Sequence, residues 1–133
     1  MKKSYLILIS IVVLIILVLF IRFFIGGSED SWIKDKRGVW IKHGVPSDIP
    51  YYVLIQQKIV DEAIKLYEDK KSRGTEFNSQ CLGIVDNYAI DIVHIPRIAE
   101  DDLVENQCED YRSGQVSNFI ELDKDGDVVK IKD

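Results

Sequence analysis

Between Tyr5 and Ile21 the chain runs for seventeen residues with Ser10 as its only polar side chain. Ser4 precedes the run, and Arg22, Phe23, Phe24 and Ile25 follow it. A helix rises about 1.5 Å per residue and a bilayer's hydrocarbon core is about 30 Å thick. The stretch 4–25 therefore predicts a membrane-spanning helix whose partner is lipid. Everything after it becomes a unit tethered at a membrane surface. The expected organisation is an anchor with the start of a linker over residues 1–27, then a soluble domain over 28–133.

Lys2 and Lys3 before the run and Gly26-Gly27-Ser28 after it also outline a secretory signal peptide. Two features favour an uncleaved signal-anchor. The apolar run exceeds the usual length of about 7–15 residues, and the small residues lack an A-x-A pattern. No Cys follows the run for lipid attachment, and no Glu near its start suggests a pilin. Orientation rests on a near-balanced count of positive charges: Lys2 and Lys3 on one side, Arg22 and then Lys34, Lys36 and Arg37 on the other. The two lysines lie closest to the helix. They favour an N-terminus inside and a C-terminal domain outside the cytoplasm, in a single-pass topology.

Charge narrows the partners. Lys2, Lys3 and Arg22 are the only charges before Ser28, which leaves 14 basic against 22 acidic residues beyond it, a net of about −8. An acidic domain repels nucleic acid, so no nucleic-acid partner is expected. It also repels anionic lipid headgroups. The length of 28–133 suits one domain with a single modest core.

Further along, Trp32-Ile33-Lys34 and Val39-Trp40-Ile41-Lys42 alternate around Asp35-Lys36-Arg37-Gly38, which predicts a hairpin with Gly38 left-handed. Ser47 or Asp48 is positioned to cap a helix with Pro50 in its first turn, running to about Lys71. Tyr52, Ile55, Ile59, Val60, Ala63, Leu66 and Tyr67 give that helix an apolar stripe. Gly74 stops it, and Lys70, Lys71 and Arg73 suit its negative end. Cys81–Val85 and Tyr88–Ile95 read as strands about an Asp86-Asn87 turn, with Pro96 ending the second. The acidic stretch from Glu100 to Asp110 reads as a surface loop or a short helix. A two-residue turn at Asp125-Gly126 pairs Leu122 with Val129, Ile120 with Ile131 and Glu121 with Lys130. The sum is an α+β fold: the N-terminal transmembrane helix, then a small antiparallel sheet with one long helix packed on it.

Cys81 and Cys108 are the only cysteines. Outside the cytoplasm they most simply form one disulfide, closing a loop of about 27 residues for roughly 3 kcal/mol. The other readings are two buried free thiols, and a thiol enzyme in which Cys81 is activated by His94 with an acid such as Asp91. The two histidines, His43 and His94, lack the spacing that would join the cysteines in a zinc site, so no metal is expected. Asp123-Lys124-Asp125-Gly126-Asp127 starts like a calcium loop, but Gly126 stands fourth rather than sixth, and a hairpin turn fits better. There is no Walker loop, G-x-G-x-x-G, G-x-S-x-G or H-E-x-x-H, and no cofactor is expected.

The phrases WIKDKRGVWIKHGVP, NSQCLG, YAIDIVHIPR, ENQCEDYR and FIELDKDGDVVKI together resemble those of small archaeal single-pass membrane proteins without an assigned activity. The resemblance spans most of Trp32 to Lys132. It implies an anchored domain and an archaeal source, and it supplies no catalytic residues. The expected function is a non-enzymatic, membrane-tethered extracytoplasmic domain that contacts an envelope protein. The alternatives are the thiol enzyme using Cys81 and His94, and an accessory subunit of a larger membrane complex.

Overall fold

The computed structural model describes residues 2–21 and 30–133. The expectations for Arg22 to Ile25, and for the linker from Gly26 to Glu29, lie outside the described residues. Helix α1, Lys2–Phe20, holds the apolar run and is long and apolar enough to cross a membrane. Its 19 residues span about 28 Å. None of its described side chains is buried against protein, and from Tyr5 onward Ser10 is its only polar residue.

The α+β class holds. Strands β1, Ser31–Lys34, and β2, Trp40–His43, form a two-stranded antiparallel hairpin. Its turn is made by Asp35, whose carboxylate accepts the amides of Arg37 and Val39. Gly38 takes φ +85°, and a Cβ there would overlap the carbonyl oxygen of Ile131. That close approach serves a bond: the Ile131 amide donates to the Arg37 carbonyl at 2.6 Å, tying the hairpin to the last strand.

Helix α2, Tyr51–Ser72, starts differently from the expectation. Pro50, which lacks an N–H, sits at the N-cap with extended backbone, and no side chain caps the helix. Ser47 and Asp48 are used elsewhere: the Ser47 hydroxyl bonds the Asp48 carboxylate, and the Asp48 carbonyl accepts the Trp32 indole N–H at 3.0 Å. The C-terminus follows the pattern, with the amides of Gly74 and Thr75 donating to the carbonyls of Lys71 and Lys70.

The buried line of α2 is Val53, Gln56, Ile59, Ala63 and Tyr67, whereas Tyr52 and Ile55 are exposed. The stripe shifts by one position in the first two turns because Gln56, a polar residue, is the anchor there. Its amide oxygen accepts the Trp40 N–H at 2.8 Å, and its NH2 donates to the Gly38 carbonyl at 3.0 Å. Apolar periodicity gives no sign of such a contact.

The main sheet runs in the order β3 (Gln80–Val85), β4 (Tyr88–Ile92), β5 (Asn118–Leu122), β6 (Val128–Lys132). Both hairpins are antiparallel, but the central β4–β5 pair is parallel, because the segment between them crosses back to the starting end. β4 stops at Ile92, short of the expected Ile95. In the last hairpin Ile120 faces Ile131 and Glu121 faces Lys130 as expected, but Leu122 faces Val128 rather than Val129, with a bulge between Glu121 and Leu122. The loop is one residue longer than a two-residue turn. Asp123 and Asp127 close it, the Asp123 carboxylate accepts the amides of Asp125 and Asp127, and Gly126 takes φ +91° under the Tyr67 ring. It repeats the device of Asp35.

Alternation along the strands sends Ile90, Ile92, Ile120, Leu122 and Ile131 to one face, where they meet Ile59, Ala63 and Tyr67 of α2. Burying each such aliphatic side chain contributes about 1.5–3 kcal/mol. The opposite face packs a smaller cluster of Ala89, Cys108 and Val116 with Tyr111 and Phe119.

Candidate functional site

The second face carries a polar row set by the sheet register. Cys81 on β3 pairs with Asp91 on β4, Asp91 pairs with Glu121 on β5, and Glu121 pairs with Lys130 on β6. Period-2 alternation puts all four on the side away from α2. The connection from Val93 to Ser117 folds over Asp91 and Glu121 through 3-10 turns at Ala99–Asp102 and Val104–Asn106 and a short helix α3, Glu109–Arg112. Between row and cover lies a cleft of about 240 Å³, lined among others by Asp91, Arg97, Asp101, Tyr111, Glu121 and Lys130.

One part of the cleft is closed by Asp101, 4% exposed despite its place in the acidic stretch. Its Oδ1 accepts the Ser79 hydroxyl, the His94 amide at 3.1 Å and the His94 ring Nδ1 at 3.0 Å, and its Oδ2 accepts the Ile98 amide at 2.8 Å. Burial opposes its ionisation, but the hydrogen bonds from Ser79, Ile98 and His94 outweigh burial and hold the carboxyl well below the usual range. Arg97 spans from here to the row, its guanidinium 3.0 Å from Glu121 and 3.0 Å from Asp102.

Outside the cleft lining, next to Asp91, Cys81 and Cys108 form a disulfide with Sγ atoms 1.98 Å apart and Cα atoms 4.7 Å apart. Asp91 lies beside it, with a carboxylate oxygen and both sulfurs all within 4.8 Å of one another. Its Oδ1 accepts the Cys108 amide at 3.2 Å, the one hydrogen bond its carboxylate makes among the described residues. Burial, with the Glu121 charge adding to it against that single bond, pushes the Asp91 carboxyl up to about 6.

The residues singled out from sequence are thus divided. Cys81, Cys108 and Asp91 come together. His94 makes no hydrogen bond to Cys81 among the described residues, and its Nδ1 is engaged by Asp101 and Ser79. His43 ends β2 and is exposed. Two sulfurs and a carboxylate have the closeness of metal ligands, but sulfurs spent on a disulfide offer no thiolate. Ser79, Arg97, Asp101 and Glu121 were not marked as site residues. Asp101 reads as one solvated acid in an acidic run, and Glu121 as a cross-strand partner of Lys130.

Ser79, His94 and Asp101 are the residue types of a hydrolase triad but are wired otherwise. In a triad the serine hydroxyl donates to the histidine's second nitrogen, which removes its proton. Here the Ser79 hydroxyl donates to the carboxylate itself. The arrangement clasps the 94–101 loop onto the start of β3. No protein-family model, no curated protein and no solved structure matches this chain.

Proposed function

We propose that the chain is a single-pass membrane protein whose domain, residues 28–133, faces the outside of the cytoplasm and serves there as a protein-interaction module of the cell envelope. The observation that carries the reading is the pairing of one apolar N-terminal helix with a disulfide-bonded domain. Disulfides persist in oxidising compartments and are rare in the cytosol. Lys2 and Lys3 before the helix support the same orientation. Ser79, His94 and Asp101 are not wired as a hydrolase triad, because the Ser79 hydroxyl donates to the Asp101 carboxylate.

A contact surface is at hand where the chain resumes after the anchor. Val45, Ile49, Tyr51 and Tyr52 are exposed, Val45 and Tyr51 by 83% and 77%. Val45 and Tyr52, with Trp32, Pro46 and Pro50, line a shallow groove between β1 and the start of α2, and exposed Ile49 and Tyr51 lie next to them in the chain. Exposed aromatic and aliphatic side chains gathered in this way mark interaction surfaces. The test is cross-linking in native membranes, followed by purification through a C-terminal tag and mass spectrometry. The reading expects one envelope protein captured by the wild-type chain and lost from the Val45→Asp, Tyr51→Asp double variant. Capture unchanged by that variant counts against the surface, and no specific capture counts against the module.

A further inference from the structure

The disulfide has an asymmetry that a purely structural bridge does not need. Cys81 is exposed, on the edge strand β3 and beside a bulge, whereas Cys108 is 0% exposed. Cys108 Sγ lies 3.6 Å from the carbonyl oxygens of Gly83 and Ile90, so as a thiol it has acceptors ready. Asp91, the cross-strand neighbour of Cys81, is buried with a carboxylate oxygen within 4.8 Å of both sulfurs and makes a single hydrogen bond among the described residues. A serine or asparagine accepts an amide hydrogen equally well without burying a carboxyl next to Glu121.

We propose that Cys81–Cys108 is an exchange-active disulfide, opened at Cys81 by the thiolate of a dithiol-bearing protein, with Asp91 giving its proton to Cys108 as that sulfur leaves. The partner's thiolate forms a bond to Cys81 Sγ and the Cys81–Cys108 bond breaks. The electron pair goes to Cys108, which takes the Asp91 proton, and Asp91 is left as a carboxylate that recovers a proton from water through the cleft. The partner's second thiolate then attacks its own sulfur in the mixed disulfide and releases Cys81 as a thiolate. Two electrons pass from the dithiol to the Cys81–Cys108 pair, and the partner is oxidised to a disulfide. Attack at Cys81 rather than Cys108 follows from access, which governs such exchange along with the thiolate fraction of the attacker. A carboxyl raised toward neutrality by burial is a proton donor suited to this step. The charged and titratable groups around Asp91 are Glu121 of β5, Lys130 of β6, Arg97 and Asp101 of the covering loop, and Tyr111 of α3. The inference goes beyond the anchored-module reading and is independent of which side of the membrane the domain faces.

The test uses the full chain in detergent micelles, with dithiothreitol as the dithiol and the rate expressed per unit of thiolate. In the wild type that rate falls as pH rises through about 6, where Asp91 loses its proton. Asp91→Asn keeps the acceptor for the Cys108 amide and removes the acid. It is expected to react at a pH-independent rate about tenfold or more below the wild-type acid plateau. An Asn variant that matches the acid plateau shows that Asp91 acts only by repelling the incoming thiolate, and overturns its role as donor. A disulfide that opens no faster than the domain unfolds, in wild type and variant alike, overturns exchange altogether. A second measurement fixes the site of attack. With glutathione disulfide, Cys108→Ser should form a mixed disulfide at Cys81 rapidly, and Cys81→Ser should leave Cys108 unmodified in the folded chain. Equal reactivity of the two contradicts the proposal.

Discussion

Asp101 and Asp91 line one cleft and are both nine-tenths buried or more, yet they are built for opposite states. Asp101 is saturated: two backbone amides, a hydroxyl and an imidazole converge on it. It is a negative charge that the fold wants, because each donor would otherwise be stranded. Asp91 has one amide and a neighbouring carboxylate, so the fold favours its neutral form. Burial alone does not assign a role to a carboxylate. The number of donors aimed at it does.

The largest effect expected from breaking the contrast is at Asp101. Asp101→Ala strands the Ser79 hydroxyl and the amides of His94 and Ile98, and should lower the unfolding free energy by roughly 3–5 kcal/mol, read as a drop in denaturant midpoint. The wild type should also lose this contribution on acidification. Asp101 has its folded pKa below the unfolded value, so its stabilisation is present above the usual carboxylate range and disappears as pH falls through the folded pKa.

Asp91 should give the opposite sign. Its folded pKa of about 6 lies above the ordinary 3.8, so its contribution is greatest below about pH 4 and is lost as pH rises through 6. Asp91→Asn should therefore be more stable than wild type by roughly 2–3 kcal/mol at pH 8, and nearly equal to it at pH 4. A pH scan of the unfolding midpoint reads this directly, and a variant destabilised at pH 8 would break the comparison. The smallest effect is at Ser79. Ser79→Ala removes one of four donors from Asp101 and should cost about 1–2 kcal/mol while leaving the Asp91 profile unchanged.

The parts of the fold that were legible in the sequence follow from local rules. The apolar run announces α1, and the D-x-x-G segments at Asp35 and Asp123 announce hairpins, since only glycine closes such turns cheaply. The length of the second loop was not legible, because the backbone bonds of the Asp123 side chain add a residue that alternation does not count. The parallel β4–β5 pair depends on where a long connection returns, which no local pattern encodes. Gln56 and Asp101 were missed for one reason: a polar residue with all its bonds satisfied inside a protein reads in sequence like a solvated one. Cys81, Cys108 and Asp91 stood out by residue type, but their adjacency comes from register.

Topology and thiol state together test whether the anchored domain is held oxidised outside the cytoplasm. Spheroplasts producing the full chain with a C-terminal tag can be treated with protease, and a parallel sample alkylated under denaturation without reductant. The expected result is a tag digested in intact spheroplasts and no alkylation of either cysteine until a reductant is added. A tag protected until lysis, with Cys81 and Cys108 both alkylated as free thiols, would contradict it.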